Sequence, residues 1–331
     1  MDLKKLTSRR SVFTIFVLAL CALMPVIAPV IGEPYFLEVF MRIMIWAIAA
    51  ISLNLILGYG GMVSFGHALF LGVGGYTVGI FAYYDIFNGF ITWPLALLFS
   101  AIIGLIIGAI CLRTRGLYFI MITLAFAQMI YYLGVSVEEY GSDDGLIIYG
   151  RSEFIFDFAG VSWELDIGNQ MVFYYLVFVI LLACLYFTHR LINSRFGMVI
   201  RGVKSNESRM QAIGFNTYRY KLACFVIAGV MCSLAGVLSA NAEKFVSPDM
   251  MYWTKSGELI FMVVLGGMGS LFGPVAGALV FLMLSEILSN LWENWNLIFG
   301  PFLVLVVLYA RYGIDGLLER SGPKAKESAN D

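Results

Sequence analysis

His67 is one of only two histidines, and the only one inside an apolar run. An ionisable side chain in such a run is a candidate for function by default, since charge is costly in lipid. Two readings of His67 stand side by side: a neutral imidazole bonded to a neighbouring helix, and a contact to a passing solute. No carboxylate or cysteine lies near it in sequence to complete a metal site. The five cysteines (Cys21, Cys111, Cys184, Cys224, Cys232) sit in or at the ends of apolar runs without CxxC spacing and read as small packing residues. Catalytic signatures are absent: no G-x-x-x-x-G-K-[ST] phosphate loop, no HExxH and no GxSxG. No chain of buried carboxylates suggests a proton relay either. Any energy this protein uses must reach it from outside.

His67 lies in "LGYGGMVSFGHALFLGVGGYTVG" (57–79), where glycines crowd into otherwise hydrophobic sequence. Each glycine weakens a helix by about 1 kcal/mol relative to alanine. Small-xxx-small spacing lets neighbouring spans approach, and Gly75/Gly79, Gly104/Gly108, Gly229/Ser233 and Gly273/Gly277 all show it. The cluster "GGMVSFG" (60–66) is too dense for packing alone and is echoed by "GGMGSLFG" (266–273). Paired glycine breaks in apolar segments point to a transport site, because unwound backbone survives at membrane depth only inside protein or beside water. The candidate pathway residues are Gly60, Gly61, Met62, Ser64, Phe65, His67, Gly266, Gly267 and Gly269, with Phe70 as a further apolar wall. Asn54, Ser64, Thr123 and Gln128 serve equally as glue between helices, and Glu258 and Glu286 flank the second break.

The elements that must position these residues are spans. The 331 residues are 60% hydrophobic and 13% charged, with a mean hydropathy of +0.86 and a net charge of −1. Such a composition fits a chain solvated largely by lipid. Apolar runs of spanning length fall at about 11–31, 37–57, 62–84, 92–112, 117–135, 170–188, 221–241 and 296–311. A longer stretch, 257–292, is broken at the second glycine cluster, giving eight to ten spans. The expected fold class is all-α and polytopic: one transmembrane domain over 1–320 and a disordered cytoplasmic tail over 321–331. The run to Ile31 is too long for a typical signal-peptide core, so it reads as an uncleaved first span.

Lysine and arginine stay on the cytoplasmic side. Lys4, Lys5, Arg9 and Arg10 place the amino terminus inside, and Arg113 and Arg115 agree after counting crossings. The loop 136–169 carries eight acidic residues against Arg151 alone and falls outside, with a small hairpin expected in "SEFIFDFAGVSWELDI". The loop 189–221 carries seven lysines and arginines against Glu207 and falls inside. Within it, Val199, Val203, Met210 and Ile213 fall at helical spacing interrupted by Gly202, with Ser205 or Asn206 as a cap and Gly214 as a stop. A short amphipathic helix follows, lying on anionic lipid or docking a cytoplasmic partner.

The chain resembles the permease subunits of bacterial ABC importers for branched-chain amino acids, specifically the longer of their two permease types. The residues carrying the resemblance are "LNLILGYGGMVSFGHALFLGVGGY" (53–76), "RGLYFIMITLAFAQM" (115–129), "SRFGMVIRGVKSNESRMQAIGFNTYRYKLACFVIAGVMCSLAGVL" (194–238) and "FVSPDMMYWTKSGELIFMVVLGGMGSLFGPVAGA" (245–278). The loop around "EEYGSDDGLIIYG" resembles the family only loosely. The resemblance implies an importer permease in the bacterial inner membrane with both termini cytoplasmic. It implies that Asn206, Glu207, Arg209, Ala212 and Gly214 form the element that seats in the ATPase. It also implies a second homologous permease, two cytoplasmic ATP-binding subunits, a periplasmic solute-binding protein and surrounding lipid as partners. No cofactor, metal or nucleic acid is implied, and ATP hydrolysis belongs to the partner subunits rather than to this chain. Leucine, isoleucine and valine are the expected solutes. Urea or a short amide is the alternative within the family, and a secondary amino acid carrier, a channel or a membrane enzyme lies outside it.

Overall fold

The computed structural model describes residues 9–31, 35–158, 161–165, 167–291, 294, 296–309 and 313–320. Lys4, Lys5 and the tail 321–331 lie outside the described residues. The helices are α1 (Arg9–Ile31), α2 (Tyr35–Asn54), α3 (Ala68–Tyr83), α4 (Gly89–Cys111), α5 (Leu117–Ser136) and α6 (Gln170–Ile192). After these come the short α7 (Arg195–Ser205) and α8 (Glu207–Ala212), then α9 (Thr217–Glu243), α10 (Trp253–Gly266), α11 (Gly273–Leu291), α12 (Asn296–Tyr309) and α13 (Gly313–Arg320). Among the described residues six helices are long and apolar enough to cross a bilayer, and α3 and the Val12–Ile27 part of α1 are shorter apolar segments. The protein is an all-α multi-pass membrane protein, and the helix borders follow the apolar runs of the sequence.

The stretch 257–292 resolves into two helices, α10 and α11, separated by the second glycine cluster. They pack closely: a side chain on Gly266 would collide with the Gly273 carbonyl, and one on Gly277 with the Met262 carbonyl. The bundle is centred on α2 and α9. In the spanning window of α2, 89% of residues are buried, against 17% in α5, which marks α5 as peripheral. Helix α4 shows how a lipid-facing helix is written. Its small residues Ala96, Ser100, Gly104 and Gly108 are buried, and Ser100 Oγ donates to the Gly229 carbonyl of α9 at 3.1 Å. Leu98, Ile102, Leu105 and Ile106 point outward. Small residues inward and large apolar residues outward reverse the pattern of a soluble helix, as expected when lipid replaces water.

Loop contacts define two ends of the bundle. At the end carrying the acidic loop, β1 (Leu146–Ile147) pairs antiparallel with β4 (Phe245–Val246). The expected hairpin is present as β2 (Phe154–Phe158) paired antiparallel with β3 (Val161–Leu165). Arg151 fastens this loop: it donates to the carbonyls of Asn241, Ile167 and Gly168 and lies over the Phe173 ring at 4.8 Å. At the opposite, basic end lie the first glycine break, Arg115, α7, α8 and the start of α9.

Candidate functional site

The first break begins where α2 loosens into a π turn over Leu55–Tyr59 and then loses helical form until α3. Asn54, the last residue of α2, is buried and bonds across to the second break. Its Nδ2 donates to the Ser270 carbonyl at 2.7 Å, and its Oδ1 accepts from the Gly269 amide at 2.9 Å. Gly58 allows this closeness, because a Cβ there would come within 2.5 Å of the Gly269 nitrogen. Gly267 turns the second break with φ +114°, a conformation that side chains other than hydrogen rarely adopt. The two glycine clusters, about two hundred residues apart in sequence, are therefore neighbours in space.

A third element meets them there. Lys204 of α7 donates from Nζ to the Gly58 carbonyl at 2.6 Å, and its stem lies along Gly61. Beside this contact a cavity of about 470 Å³ opens among Gly60, Gly61, Met62, Arg115, Lys204, Glu207 and Lys221. Of the pathway residues expected from sequence, Gly60, Gly61 and Met62 line this cavity. Ser64 is sealed, Phe65 rests against Trp253, and Gly269 meets the first break at Asn54 and Gly58. Gly266 and Gly267 shape the second break itself, Gly266 against the Gly273 carbonyl and Gly267 by its positive φ. His67 is sealed as well: its Nε2 lies 2.8 Å from Ser52 Oγ of α2, and its ring meets Phe70 edge-on at 5.8 Å. Its backbone carbonyl accepts from Cys232 Sγ of α9. His67 ties α2, α3 and α9 together and does not border this cavity.

The amphipathic segment consists of two helices rather than one. Asn206 is extended (φ −159°) and ends α7, and its Oδ1 accepts from the Arg209 amide to cap α8. Gly202 is not the interruption. It stays within α7 and leaves room for Met210, whose sulfur a Cβ at 202 would approach to 2.7 Å, so α8 folds back on α7. Among the expected coupling residues, Asn206, Arg209, Ala212 and Gly214 are exposed, and the neighbouring Ile213 is 65% exposed. Glu207 turns inward. Its Oε1 accepts from Lys221 Nζ at 2.6 Å and from Thr217 Oγ1 at 3.1 Å, and Arg115 Nε lies 3.6 Å from Oε2. Burial by itself would raise the Glu207 carboxyl, but the Lys221 bond and charge, with Thr217 and Arg115, outweigh it and hold the group below the usual carboxylate range.

The acidic end holds a second hollow of about 470 Å³ between α2, α9, α10 and α11, with Arg42, Glu243, Lys255, Glu258 and Glu286 on its wall. Sequence reasoning found Glu258 and Glu286 and missed Arg42, Glu243 and Lys255. The signal for Arg42 was available: it is the last charged residue of α2, with only apolar and small polar residues after it.

The sequence profile described as "Branched-chain amino acid transport system / permease component" matches residues 35–309. The chain belongs to this family of membrane permease components. It is 28% identical over 301 residues to the high-affinity branched-chain amino acid transport system permease protein LivM of Salmonella typhimurium, covering 86% of this chain and 70% of that one. It is 25% identical over 328 residues to the probable branched-chain amino acid transport permease protein LivM of Methanocaldococcus jannaschii, covering 85% and 91%. A shorter likeness, 30% over 151 residues (44% of this chain and 47% of the other), joins it to LivH of Escherichia coli. No solved structure gives a significant match.

Proposed function

We propose that this chain is the LivM-type permease subunit of an ATP-driven importer for leucine, isoleucine and valine. It sits in the inner membrane with its basic end in the cytoplasm and its acidic end in the periplasm. The segregation of basic and acidic loops supports this orientation. Its partners in this reading are a LivH-like permease, two cytoplasmic ATPases and a periplasmic binding protein. The similarity to both LivM and LivH relatives supports the paired permeases. The chain itself is a transport subunit, and the ATPases carry the hydrolysis.

The observation that carries the mechanism is the insertion of Lys204 between the exposed helices and the first glycine break. Force applied to the exposed tip around Arg209 and Ile213 passes through α8 and α7 to Lys204. From there it reaches the Gly58 carbonyl, and Asn54 carries it to the second break. Helices joined at unwound segments can tilt there without breaking their own ladders, which is what alternation between two openings requires. Gly60, Gly61 and Met62 border the cytoplasmic opening of the route.

The test is uptake by the five-part assembly in proteoliposomes. Leucine should accumulate only with loaded binding protein outside and ATP inside. Uptake by this chain alone on an ion gradient would make it a secondary carrier, and ATP-driven uptake of urea or acetamide without leucine would change the solute.

A further inference from the structure

The hollow at the acidic end carries charge that a passage lined only by glycine would not need. Its volume, about 470 Å³, adjoins a second hollow of about 440 Å³ that shares Arg42, Ser239 and Glu243. This is the size range of small-ligand sites. Two cations, Arg42 and Lys255, face four carboxylates, Asp249, Glu243, Glu258 and Glu286. Arg42 Nη2 pairs with Glu286 Oε2 at 2.5 Å, and Glu286 also accepts from the Tyr35 hydroxyl. Lys255 Nζ pairs with Glu258 at 3.0 Å. Among the described residues Glu243 has no cation within ion-pair distance, and Ser239 Oγ donates to it at 3.3 Å. Trp46, Leu71, Met250 and Leu282 add an apolar side to the same wall.

Charges of both signs beside an apolar wall match one chemical class: a zwitterion with an aliphatic side chain. Resting on the amino acid reading above, we propose that this hollow is a transit site for the α-amino acid. Glu243 receives its ammonium, Arg42 its carboxylate, and the Trp46–Leu71 side its branched side chain. The carboxylate of the solute competes with Glu286 for Arg42, while Tyr35 keeps Glu286 bonded. One ion pair is exchanged for another, so the solute is held loosely and released readily. The open Glu243 carboxylate sets the sign of the vacancy, which an uncharged amide or urea would leave unfilled.

The experiment measures ATP-driven leucine uptake by the full assembly against the concentration of loaded binding protein. Glu243→Gln should lower the maximal rate roughly tenfold or more, the usual scale for losing a charged partner. The half-saturating concentration of binding protein and the basal ATPase rate should stay as in the wild type, and Glu243→Asp should recover part of the loss. The double variant Arg42→Gln/Glu286→Gln removes a pair without leaving a lone charge, should slow uptake comparably, and decides the matter if Glu243→Gln reaches the membrane poorly. Wild-type maximal rates in both variants would overturn the site. So would a raised half-saturating concentration at full maximal rate, which would make Glu243 a contact for the binding protein. A wild-type assembly that moves acetamide or urea but no leucine refutes the solute reading, and the transit site with it. Wild-type maximal rates in the variants, on a wild type that does import leucine, refute the site alone.

Discussion

Asn54 and Gly269 are 215 residues apart in sequence, yet the Asn54 amide oxygen accepts the Gly269 backbone N–H at 2.9 Å while its nitrogen donates to Ser270. One side chain thus satisfies backbone at the second break from the end of α2. Asn54→Leu leaves a buried donor and acceptor without partners, a loss of about 1–3 kcal/mol. Thermal unfolding of the purified permease in detergent should occur at lower temperature. An unchanged midpoint would mean that water replaces the amide without cost.

Gly267→Leu places a side chain at φ +114°, and Gly58→Leu drives one into Gly269 and Asn54. Both should abolish uptake at reduced stability. Gly61→Leu meets mainly the flexible Lys204 stem, although its own φ is +68°, so it should keep more protein in the membrane while still blocking flux. Abundance on immunoblots set against uptake rate separates the two classes. Normal flux in Gly61→Leu would show that the basic-end cavity is not part of the route.

His67 tests packing against passage. His67→Gln preserves a polar partner for Ser52 Oγ, and His67→Leu does not. Uptake should survive the first change and fall with the second, with thermal stability following the same order. Loss of uptake by His67→Gln at wild-type stability would place the imidazole on the solute's route.

Glu207 and Arg209 are two residues apart on α8, about half a turn, and have different work. Arg209→Glu changes an exposed position, so ATPase binding should weaken while the permease itself melts as before. Glu207→Gln removes the anchor of α8 on Lys221, so the exposed helices should exchange amide hydrogen faster. The pH dependence has a definite sign. Because the folded Glu207 carboxyl lies below its unfolded value, its contribution is present above the ordinary carboxylate range and is lost as pH falls through the lower, folded value. Measured against the intrinsic exchange rate at each pH, protection over 207–213 should fall as acid is added through that window in wild type and stay level in Glu207→Gln.

Most of the helices were legible because a spanning segment must be long, apolar and free of charge, and those three demands leave borders visible in a single sequence. The cap at Asn206 was legible for the same local reason. The inward turn of Glu207 was not: its partners Lys221 and Arg115 come from two other elements, and local sequence offers no record of that meeting. The glycine clusters were recognised as a pair, but their direct contact through Asn54 was hidden, since Asn54 read equally well as ordinary glue. Glycine could have announced a water-lined wall or a close approach; here Gly60 and Gly61 border a cavity while Gly266, Gly267 and Gly269 serve proximity. Arg42 went unnoticed because it sits near the mouth of an apolar helix, where one charge disturbs the hydropathy little.

The most direct test is the number of leucine molecules imported per ATP hydrolysed when Lys204 is replaced by methionine. Methionine keeps an unbranched stem along Gly61 and removes the ammonium from the Gly58 carbonyl. ATP turnover should continue near its wild-type rate, while leucine imported per ATP falls about tenfold, a loss of about 1.4 kcal/mol of coupling. A wild-type ratio in Lys204→Met would show that force reaches the glycine breaks by another path.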